Sequence, residues 1–538
     1  MGGVVRCGGL ALVLAAQAQI PNATTIKLSD GQATLEWISS SSFRFCRAWG
    51  AEKCPPGAVA SREPVKVTQT ESPSHVRLST EYVLVEIDKN DSRLRVLDSS
   101  GKELMAEASP VIQSGQAISV ERVASPGERF YGLGARTDAR ADARGQTVES
   151  SKPFLISSEG YGLHHVSPGI YVFDLGHSKP DRYRITLSPG KQFEYYFYYG
   201  PQIKEILGEH MRVVAPRGYS RFGLPARAEL PRPATLLPAS APASWESLEG
   251  AVHSLVHASL SGILNPVFDV APYRAGPPAL FQRAVQLASI TPLVFDSLAA
   301  PPEENQCKVQ GSVLAWRHRM IPFFLAYVEE TTDRGYPLIH PLPMQYPNDA
   351  EASSIADEFM IGDEILFAPI STEGNRRSVY LPMGRWTGLA TNKEYAGRQR
   401  IEVEVKPDEM ALFVRNGSIV PLGGAGEAGP MLLHYMPKLA AEFFLFEAGL
   451  AEYTQLHAAP ALDLMRLEIE SKIARTYEWI VHHTPSAREV RTGEAPHRQV
   501  KDRSELRPGT WYYDRELRNM HICVRVGARE TGLTHVAF

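Results

Sequence analysis

Two histidines one helical turn apart are the first side chains in this sequence whose spacing could support metal chemistry. His253 and His257 occupy positions i and i+4 of a predicted helix, a spacing that is able to bind zinc. A zinc site needs further ligands, and no Cys-x-x-Cys or Cys/His spacing supplies one. We therefore interpret both as ordinary helical histidines and expect neither a metal nor a cofactor.

The acidic residues of the same region could take part in acid–base chemistry, but structural roles account for them. Glu246 and Glu249 lie in the first turn of the predicted helix, where carboxylates interact favourably with the helix dipole. Glu303 and Glu304 lie in a Pro-rich loop, where we expect them to be solvated. Spacing alone therefore yields no convincing pair of carboxylates.

Helices and short strands alternate between about residues 216 and 340. Ser244 is a favourable N-cap, and the apolar residues that follow it recur at helical spacing as far as Leu260. Two more helical stretches are predicted over 280–287 and 313–332, and a short buried strand over 266–268. Such alternation implies an α/β unit with parallel strands.

Short strands separated by turns are predicted on both sides of this unit. In the N-terminal part, the polar turn Lys89–Asp91 joins two apolar runs and indicates a hairpin. The aromatic run Phe193–Tyr199 has the alternation of a sandwich strand whose rings are mostly core. Strand patterns return after Leu342 and continue to the end of the sequence, so we predict β-sandwiches on either side of the α/β unit.

Length and charge limit the function classes. A chain of 538 residues is too long for one core, and we expect three or four domains. The net charge of −4 and the absence of a long basic run give no electrostatic footprint for nucleic acid or for an anionic membrane. No segment is apolar for the roughly 20 residues that a membrane-spanning helix needs.

The first 18 residues have the pattern of a secretory signal peptide. Arg6 supplies a positive charge, Gly8–Ala16 is apolar, and Ala16–Ala18 has the small-x-small pattern of a cleavage site. We predict a signal peptide over residues 1–18 and a secreted or periplasmic protein. The alternative interpretation is a frayed N-terminal strand.

The cysteines are too few for a disulfide scaffold. Cys46 and Cys54 are close enough in sequence to form one disulfide in an oxidising compartment. Cys307 and Cys523 are isolated, and we expect both to be buried thiols.

Six segments, in this order, carry a resemblance to a known family. They are Glu128–Gly134, Ser157–Gly162, Tyr196–Pro201, Gly335–Leu342, Phe359–Pro369 and Phe413–Leu422. Their motifs and spacing resemble glycoside hydrolase family 31, which contains retaining α-glucosidases and α-xylosidases. Each segment alone could be a chance match, whereas six in the right order are not explained by chance.

The resemblance implies a multidomain protein with both α and β structure. We expect an N-terminal β-sandwich of galactose-mutarotase type over 19–213, a (β/α)8-type barrel over 214–341, and proximal and distal C-terminal β-sandwiches over 342–430 and 431–538. A closed barrel needs about 250 residues. Only about 128 residues separate Val213 from Pro341, so we predict an incomplete barrel with an internal deletion that removes its first strands.

The resemblance also implies two catalytic carboxylates, and neither is found. The family's nucleophile lies in a Trp-x-Asp-Met type motif, which does not occur in this sequence. Its acid/base aspartate precedes a Ser-Trp-Glu segment; here Ser244–Glu246 is present, but Ser240 occupies the aspartate's position. A serine hydroxyl cannot act as a general acid near neutral pH. We therefore expect no catalytic residue.

Two polar residues match positions that bind substrate in the family. Arg221 resembles the arginine of a Ser-Arg-x-Gly strand, and Asp269 the aspartate of a Gly-Ser-Asp-Ile-Gly-Gly-Phe motif. The resemblance implies that they contact an oligosaccharide or α-glycoside. The alternatives are a surface or packing role for Arg221 and a helix cap for Asp269.

Three hypotheses on function follow. The first is a degenerate α-glycosidase of carbohydrate metabolism that is inactive. The second is a non-catalytic carbohydrate-binding or assembly protein that reuses the β-sandwiches. The third is an active hydrolase with an unrecognised pair of carboxylates.

An incomplete barrel cannot close, so it should expose strand edges and the inner face of its sheet. We expect Phe222, Leu224, Val267 and Phe268 near that face. Such a surface is rarely tolerated in a soluble monomer. The flanking sandwiches should therefore cover it, or a second copy should pair with it to form a homo-oligomer.

Overall fold

The computed structural model describes residues 23–59, 63–214, 235–237, 243–264, 266–291, 294–295, 304–424 and 429–538. Within these residues the protein is multidomain and consists mostly of β-sheets. No helix in the part of the chain thus described is long and apolar enough to cross a membrane.

Three antiparallel sheets form the N-terminal part. The seven-stranded sheet has the order Ala23–Leu28, Gly31–Ser39, Ser42–Trp49, Gln192–Tyr199, Tyr161–His165, Phe154–Ser157 and Phe130–Gly132. A five-stranded sheet has the order Thr147–Ser150, Ile170–Asp174, Arg182–Ser188, Ala117–Val123 and Ile112–Ser114. The other five-stranded sheet has the order Thr68–Glu71, His75–Ser79, Val83–Asp88, Leu94–Asp98 and Glu103–Ala106.

A single hydrophobic core joins these three sheets. The alternating rings of Phe193, Tyr195 and Phe197 are fully buried in it, as the aromatic run predicts. The hairpin predicted around Lys89–Asp91 is also present, because Val83–Asp88 pairs with Leu94–Asp98.

Helices and three short parallel strands make up the central part. The helices are α1 (Ile203–Val214), α2 (Trp245–Leu260), α3 (Pro278–Ser289), α4 (Glu304–Arg334) and α5 (Leu342–Gln345). The strands Thr235–Leu236, Pro266–Asp269 and Val294–Phe295 pair in parallel in that order. The predicted helices correspond to α2, α3 and α4, and the predicted strand to Pro266–Asp269.

Two expectations about helices are wrong. We predicted only strands before residue 213, but α1 is a helix that packs Ile206, Leu207 and Val213 into the core. Glu304 was expected in a loop and instead begins α4, where it forms an i, i+4 ion pair with Lys308 at 2.9 Å.

Four sheets form the C-terminal part. One has the order Ile339–Pro341, Phe359–Ile361, Ile365–Phe367, Leu412–Arg415, Arg385–Gly388 and Glu394–Ala396, and Arg376–Leu381 pairs with Gln399–Glu404 in a two-stranded sheet. Another has the order Ser418–Leu422, Met431–Met436, Arg475–Val481, Asn519–Val526, Thr510–Asp514 and Arg498–Gln499. The last has the order Ala441–Glu447, Glu452–Pro460, Leu464–Ser471, Glu530–Ala537, Glu489–Thr492 and Ala495–Pro496. Short 3-10 helices span Ala271–Ala275, Ala352–Ser354 and Arg503–Glu505.

The side chains expected at an exposed sheet face are buried. Val267 and Phe268 are 0% and 4% exposed, so they are covered within the chain as one of the two expected arrangements requires, while Phe222 and Leu224 lie outside the described residues. The covering elements differ from the expected sandwiches, because α2 and α3 contact the strand Pro266–Asp269 and Tyr273 packs its ring 5.5 Å from that of Phe268. The prediction that a second copy pairs here therefore loses its basis in these two residues.

The C-terminal sheets also pack on the central helices. One continuous hydrophobic core contains Val256 of α2, Val285 of α3, Phe323 of α4, and Val420 and Trp479 of a C-terminal sheet. On α3, the buried Arg283 donates hydrogen bonds to the carbonyls of Val405 and Glu409, both at 2.9 Å. Polar and apolar contacts thus hold the parallel strands and the C-terminal part together.

The disulfide prediction is confirmed, whereas one of the two thiol predictions is wrong. Cys46 and Cys54 are bonded, and Cys523 is buried in the strand Asn519–Val526. Cys307 is exposed, because it lies in the first turns of α4, next to a lysine that is 70% exposed.

We predict that Arg283→Met destabilises the protein by about 2 kcal/mol, because carbonyl acceptors of the 405–409 segment lose a buried donor. Denaturant unfolding measures the loss of stability. Arg376→Met is the matched control, because the Arg376 side chain is 80% exposed. Hydrogen exchange should also increase over 278–289 and 405–410. An Arg283→Met variant as stable as the control would contradict this account of the packing.

Candidate functional site

The carboxyl ends of the parallel strands form the first candidate site. Parallel strands end at one edge of their sheet, and in α/β folds ligands bind at that edge. Asp269 is the last residue of the central strand and pairs with Phe295 of its neighbour. The half-buried Asp269 carboxylate thus lies at the carboxyl edge of these strands.

Asp269 also has a structural role. Its Oδ1 accepts a hydrogen bond from the backbone N–H of Ala271 at 3.0 Å, at the start of the 3-10 helix Ala271–Ala275. The next residues are well fixed, since Tyr273 is buried, packs its ring 5.5 Å from that of Phe268, and accepts a hydrogen bond from Ser247 at 3.2 Å. The capping alternative therefore holds, and it positions the carboxylate at the strand end.

The other residues that the resemblance places at this site lie outside the described part of the chain. These are Arg221, which was predicted to bind substrate, and Ser240, which occupies the position of the family's acid/base. Ser244, in contrast, is present as the N-cap of α2 and exchanges hydrogen bonds with Ser247.

The two histidines of α2 hold a loop of the N-terminal part. His253 Nδ1 donates to the carbonyl of Thr137 at 3.0 Å, and His257 Nε2 to that of Asp138 at 3.1 Å. Burial, followed by the charge of Arg136, lowers the pKa of His257 to about 3. Both rings thus have the structural role that the sequence favours. Over the described ranges, no group of three or more His, Cys, Asp or Glu could hold a metal ion.

A polar cluster that the sequence reasoning did not single out surrounds Asp363. Lys204 of α1 donates to Asp363 Oδ1 at 2.7 Å, His340 Nδ1 lies 3.0 Å from the same oxygen, and Gln345 of α5 also donates to it. Burial raises the pKa of Asp363, but the hydrogen bonds and charges of His340 and Lys204 outweigh it and hold that pKa well below its usual range. Asp363 is therefore an ionised carboxylate that ties α1 and α5 to a C-terminal sheet.

The pKa of the neighbouring carboxyl group, Glu364, is raised and not lowered. Glu364 is buried and accepts a hydrogen bond from the Tyr327 hydroxyl at 2.5 Å. Burial raises the pKa of Glu364 to about 8, and the negative charge of Asp363 acts in the same direction. Two adjacent carboxyl groups thus differ in ionisation at neutral pH.

The sequence did contain a signal for this cluster. Gly362 has a φ of +60°, and a Cβ on it would lie 2.2 Å from the ring of Tyr327. Only glycine fits this backbone conformation and this close approach, which explains a Gly-Asp-Glu run between two strands.

The comparisons with known proteins bear on the same segment. A family model described as the glycosyl hydrolase family 31 C-terminal domain matches residues 335–420, which include His340, Asp363 and Glu364. Residues 335–420 thus carry the C-terminal domain of glycoside hydrolase family 31. The resemblance stated from the sequence is therefore confirmed.

Curated relatives match only parts of this chain. A 1,6-alpha-glucosyltransferase of Sporosarcina globispora is 31% identical over 156 residues, which are 27% of this chain and 12% of that protein. A SITS-binding protein of Tetronarce californica is 31% identical over 206 residues, which are 36% of this chain and 29% of that protein. The chain thus spans less than a third of the length of these relatives.

Solved structures match the fold over nearly the whole chain. A family 31 dextranase of Flavobacterium johnsoniae complexed with isomaltotriose has a TM-score of 0.79 at 14% identity and covers 95% of this chain and 97% of its own. The cycloalternan-forming enzyme of Listeria monocytogenes, in complex with a pentasaccharide substrate, has a TM-score of 0.79 at 14% identity. The match covers 96% of this chain and 76% of that enzyme's chain. The fold is therefore that of a family 31 dextranase.

We predict that the variant Glu364→Gln gains stability relative to the unsubstituted protein as the pH rises. The carboxyl pKa is raised in the folded protein from 4.5 to about 8, so its contribution to stability is full below about pH 4.5 and is lost as the pH rises through 8. The unfolding free energy of the variant relative to the unsubstituted protein should increase between about pH 5.5 and pH 8.5. Denaturant titrations at both pH values measure it, with the exposed Glu404→Gln as control. Equal pH dependence of the two variants would refute the assignment.

Proposed function

We propose that this family 31 protein is of α-glycosidase type, takes part in carbohydrate metabolism, and binds an oligosaccharide or α-glycoside without hydrolysing it. The observation that carries the proposal is the position of Asp269 at the carboxyl end of a parallel strand, in a fold shared with a dextranase complexed with isomaltotriose. Arg221, by the family motif, would be a second contact to the same sugar.

The architecture that accompanies this function is an N-terminal β-sandwich, an incomplete (β/α)8-type barrel and two C-terminal β-sandwiches. Three parallel strands flanked by α2 and α3 support the barrel remnant. The joined cores of the N-terminal sheets and of the C-terminal sheets support the sandwiches on either side.

The lack of hydrolysis follows from the chemistry of retaining glycosidases. They need two carboxylates about 5–5.5 Å apart, one as nucleophile and one as acid/base. The sequence has no Trp-x-Asp-Met motif, and Ser240 replaces the acid/base aspartate. Asp269 could bind a sugar hydroxyl, but its Oδ1 already accepts the Ala271 N–H.

We also propose that the protein is secreted or periplasmic and that residues 1–18 are a signal peptide. The disulfide between Cys46 and Cys54 supports this, because such bonds persist in oxidising compartments. Protein sequencing of the secreted product would test it, and an N-terminus upstream of residue 18 would contradict it.

The catalytic prediction is that purified protein does not turn over aryl α-glucosides or α-xylosides above background. Loss of either carboxylate role costs several orders of magnitude in rate. Ser240→Asp alone should not restore activity, because the nucleophile would still be missing. Clear turnover that a single carboxylate substitution abolishes would overturn the proposal in favour of an active hydrolase.

The binding prediction is that Asp269→Ala weakens the binding of isomaltotriose by roughly 1.5–3 kcal/mol, the value of hydrogen bonds to a charged group. Asp502→Ala is the matched control, because the Asp502 carboxylate also caps a 3-10 helix, by accepting from the Ser504 N–H at 2.8 Å. Titration calorimetry measures both. Equal affinities of the two variants would show that Asp269 does no more than cap.

A further inference from the structure

A cavity of about 730 Å³ lies between the C-terminal half of α4 and the strand Ala441–Glu447. One face of α4 lines it with Tyr327, Glu330 and Arg334. None of its lining residues belongs to the three parallel strands, to α2 or to α3. The cavity is thus built from other residues than the site around Asp269, and its volume is that of a pocket for a small ligand.

Aromatic side chains form one wall of this cavity. The ring of Phe443 is buried and packs 5.6 Å from Phe323 and 6.3 Å from Tyr327. The adjacent Phe444 is 46% exposed and lines the cavity, as does Tyr453 of the neighbouring strand. Phe443 therefore fixes the strand, while Phe444 and Tyr453 offer aromatic surface to a ligand.

Polar groups of both charge signs surround these rings. Carboxylates come from Glu330, Asp333, Glu442 and from Asp363, whose charge is paired with Lys204, and guanidinium groups come from Arg334 and Arg415. Arg334 and Glu330 partly neutralise each other at 3.5 Å. A mixed set of donors and acceptors disfavours a strongly charged ligand of either sign and suits hydroxyl groups, which both donate and accept.

Two buried groups at the cavity wall, Ser418 and Glu364, could also form hydrogen bonds with ligand hydroxyls. Ser418 is 3% exposed, lines the cavity, and has a hydroxyl without a hydrogen-bond partner among the described residues. Glu364, whose pKa burial raises to about 8, also lines it. An unpaired buried hydroxyl calls for a partner, which a bound ligand or water would supply.

We propose that this cavity is a second carbohydrate-binding site, which takes a short neutral oligosaccharide with one sugar ring against Phe444. The apolar C–H face of a pyranose ring packs on an aromatic ring, and its hydroxyls reach the charged groups around it. This site goes beyond the function proposed above and rests on it only for the chemical class of the ligand.

Calorimetric titration of the full chain with isomaltotriose tests the inference, and the unsubstituted protein should bind two molecules. Phe444→Ala should lose one of the two or weaken it by about tenfold, which corresponds to 1.4 kcal/mol. Because Phe444 is half exposed, its truncation should leave the fold intact. The matched control is Leu464→Ala, a 45% exposed apolar residue of the same sheet, which should bind as the unsubstituted protein does.

A rescue and a comparison separate this site from that of Asp269. Phe444→Trp should retain both binding events, and isomaltotriose should protect residues 326–334 and 441–447 from hydrogen exchange. If Phe444→Ala loses a binding event for isomaltotriose and Asp269→Ala does not, the result supports this inference and overturns the site proposed at the strand ends. If Asp269→Ala loses a binding event and Phe444→Ala does not, only this inference is overturned. Equal binding of isomaltotriose by Phe444→Ala and Leu464→Ala also overturns this inference alone. No binding by the unsubstituted protein overturns both.

Discussion

The apolar side chains of a short parallel strand must be covered for the strand to be stable, and in the strand Pro266–Asp269 both Val267 and Phe268 are buried. The helices α2 and α3 contact the strand, and each is held in turn by a flanking β region. The N-terminal loop accepts hydrogen bonds from His253 and His257, and the C-terminal part accepts them from Arg283. The strands that carry Asp269 thus depend on contacts from both sides.

The sequence predicts those elements whose pattern is local. The N-cap Ser244 and the apolar spacing after it predicted α2. The polar turn Lys89–Asp91 predicted the hairpin that surrounds it. The helix α1 was missed because its apolar residues directly follow an aromatic strand and a Gly-Pro turn. For Val267 and Phe268 we expected cover from a sandwich or a second copy and not from helices, because periodicity does not show what packs over a strand.

The candidate sites divide in the same way. Family motifs led to Asp269, whose structural surroundings are those of a strand end. The cluster at Asp363 joins Lys204, His340 and Gln345, which lie far apart in sequence, so only the fold brings them together. Its one local signal was Gly362, whose close contact with Tyr327 no side chain could tolerate. The fold itself does not report on catalysis, because activity resides in the residues of a site and not in the fold.

Covalent trapping tests most directly our proposal that this protein keeps a family 31 dextranase-like fold without a catalytic nucleophile. A retaining glycosidase forms a glycosyl–enzyme intermediate on its nucleophile, and a 5-fluoro glycosyl fluoride makes that adduct long-lived. Intact-mass spectrometry of the purified chain after incubation with 5-fluoro-α-glucosyl fluoride would detect it. The account predicts an unchanged mass. A stoichiometric glycosyl adduct that maps to an aspartate or glutamate would contradict it.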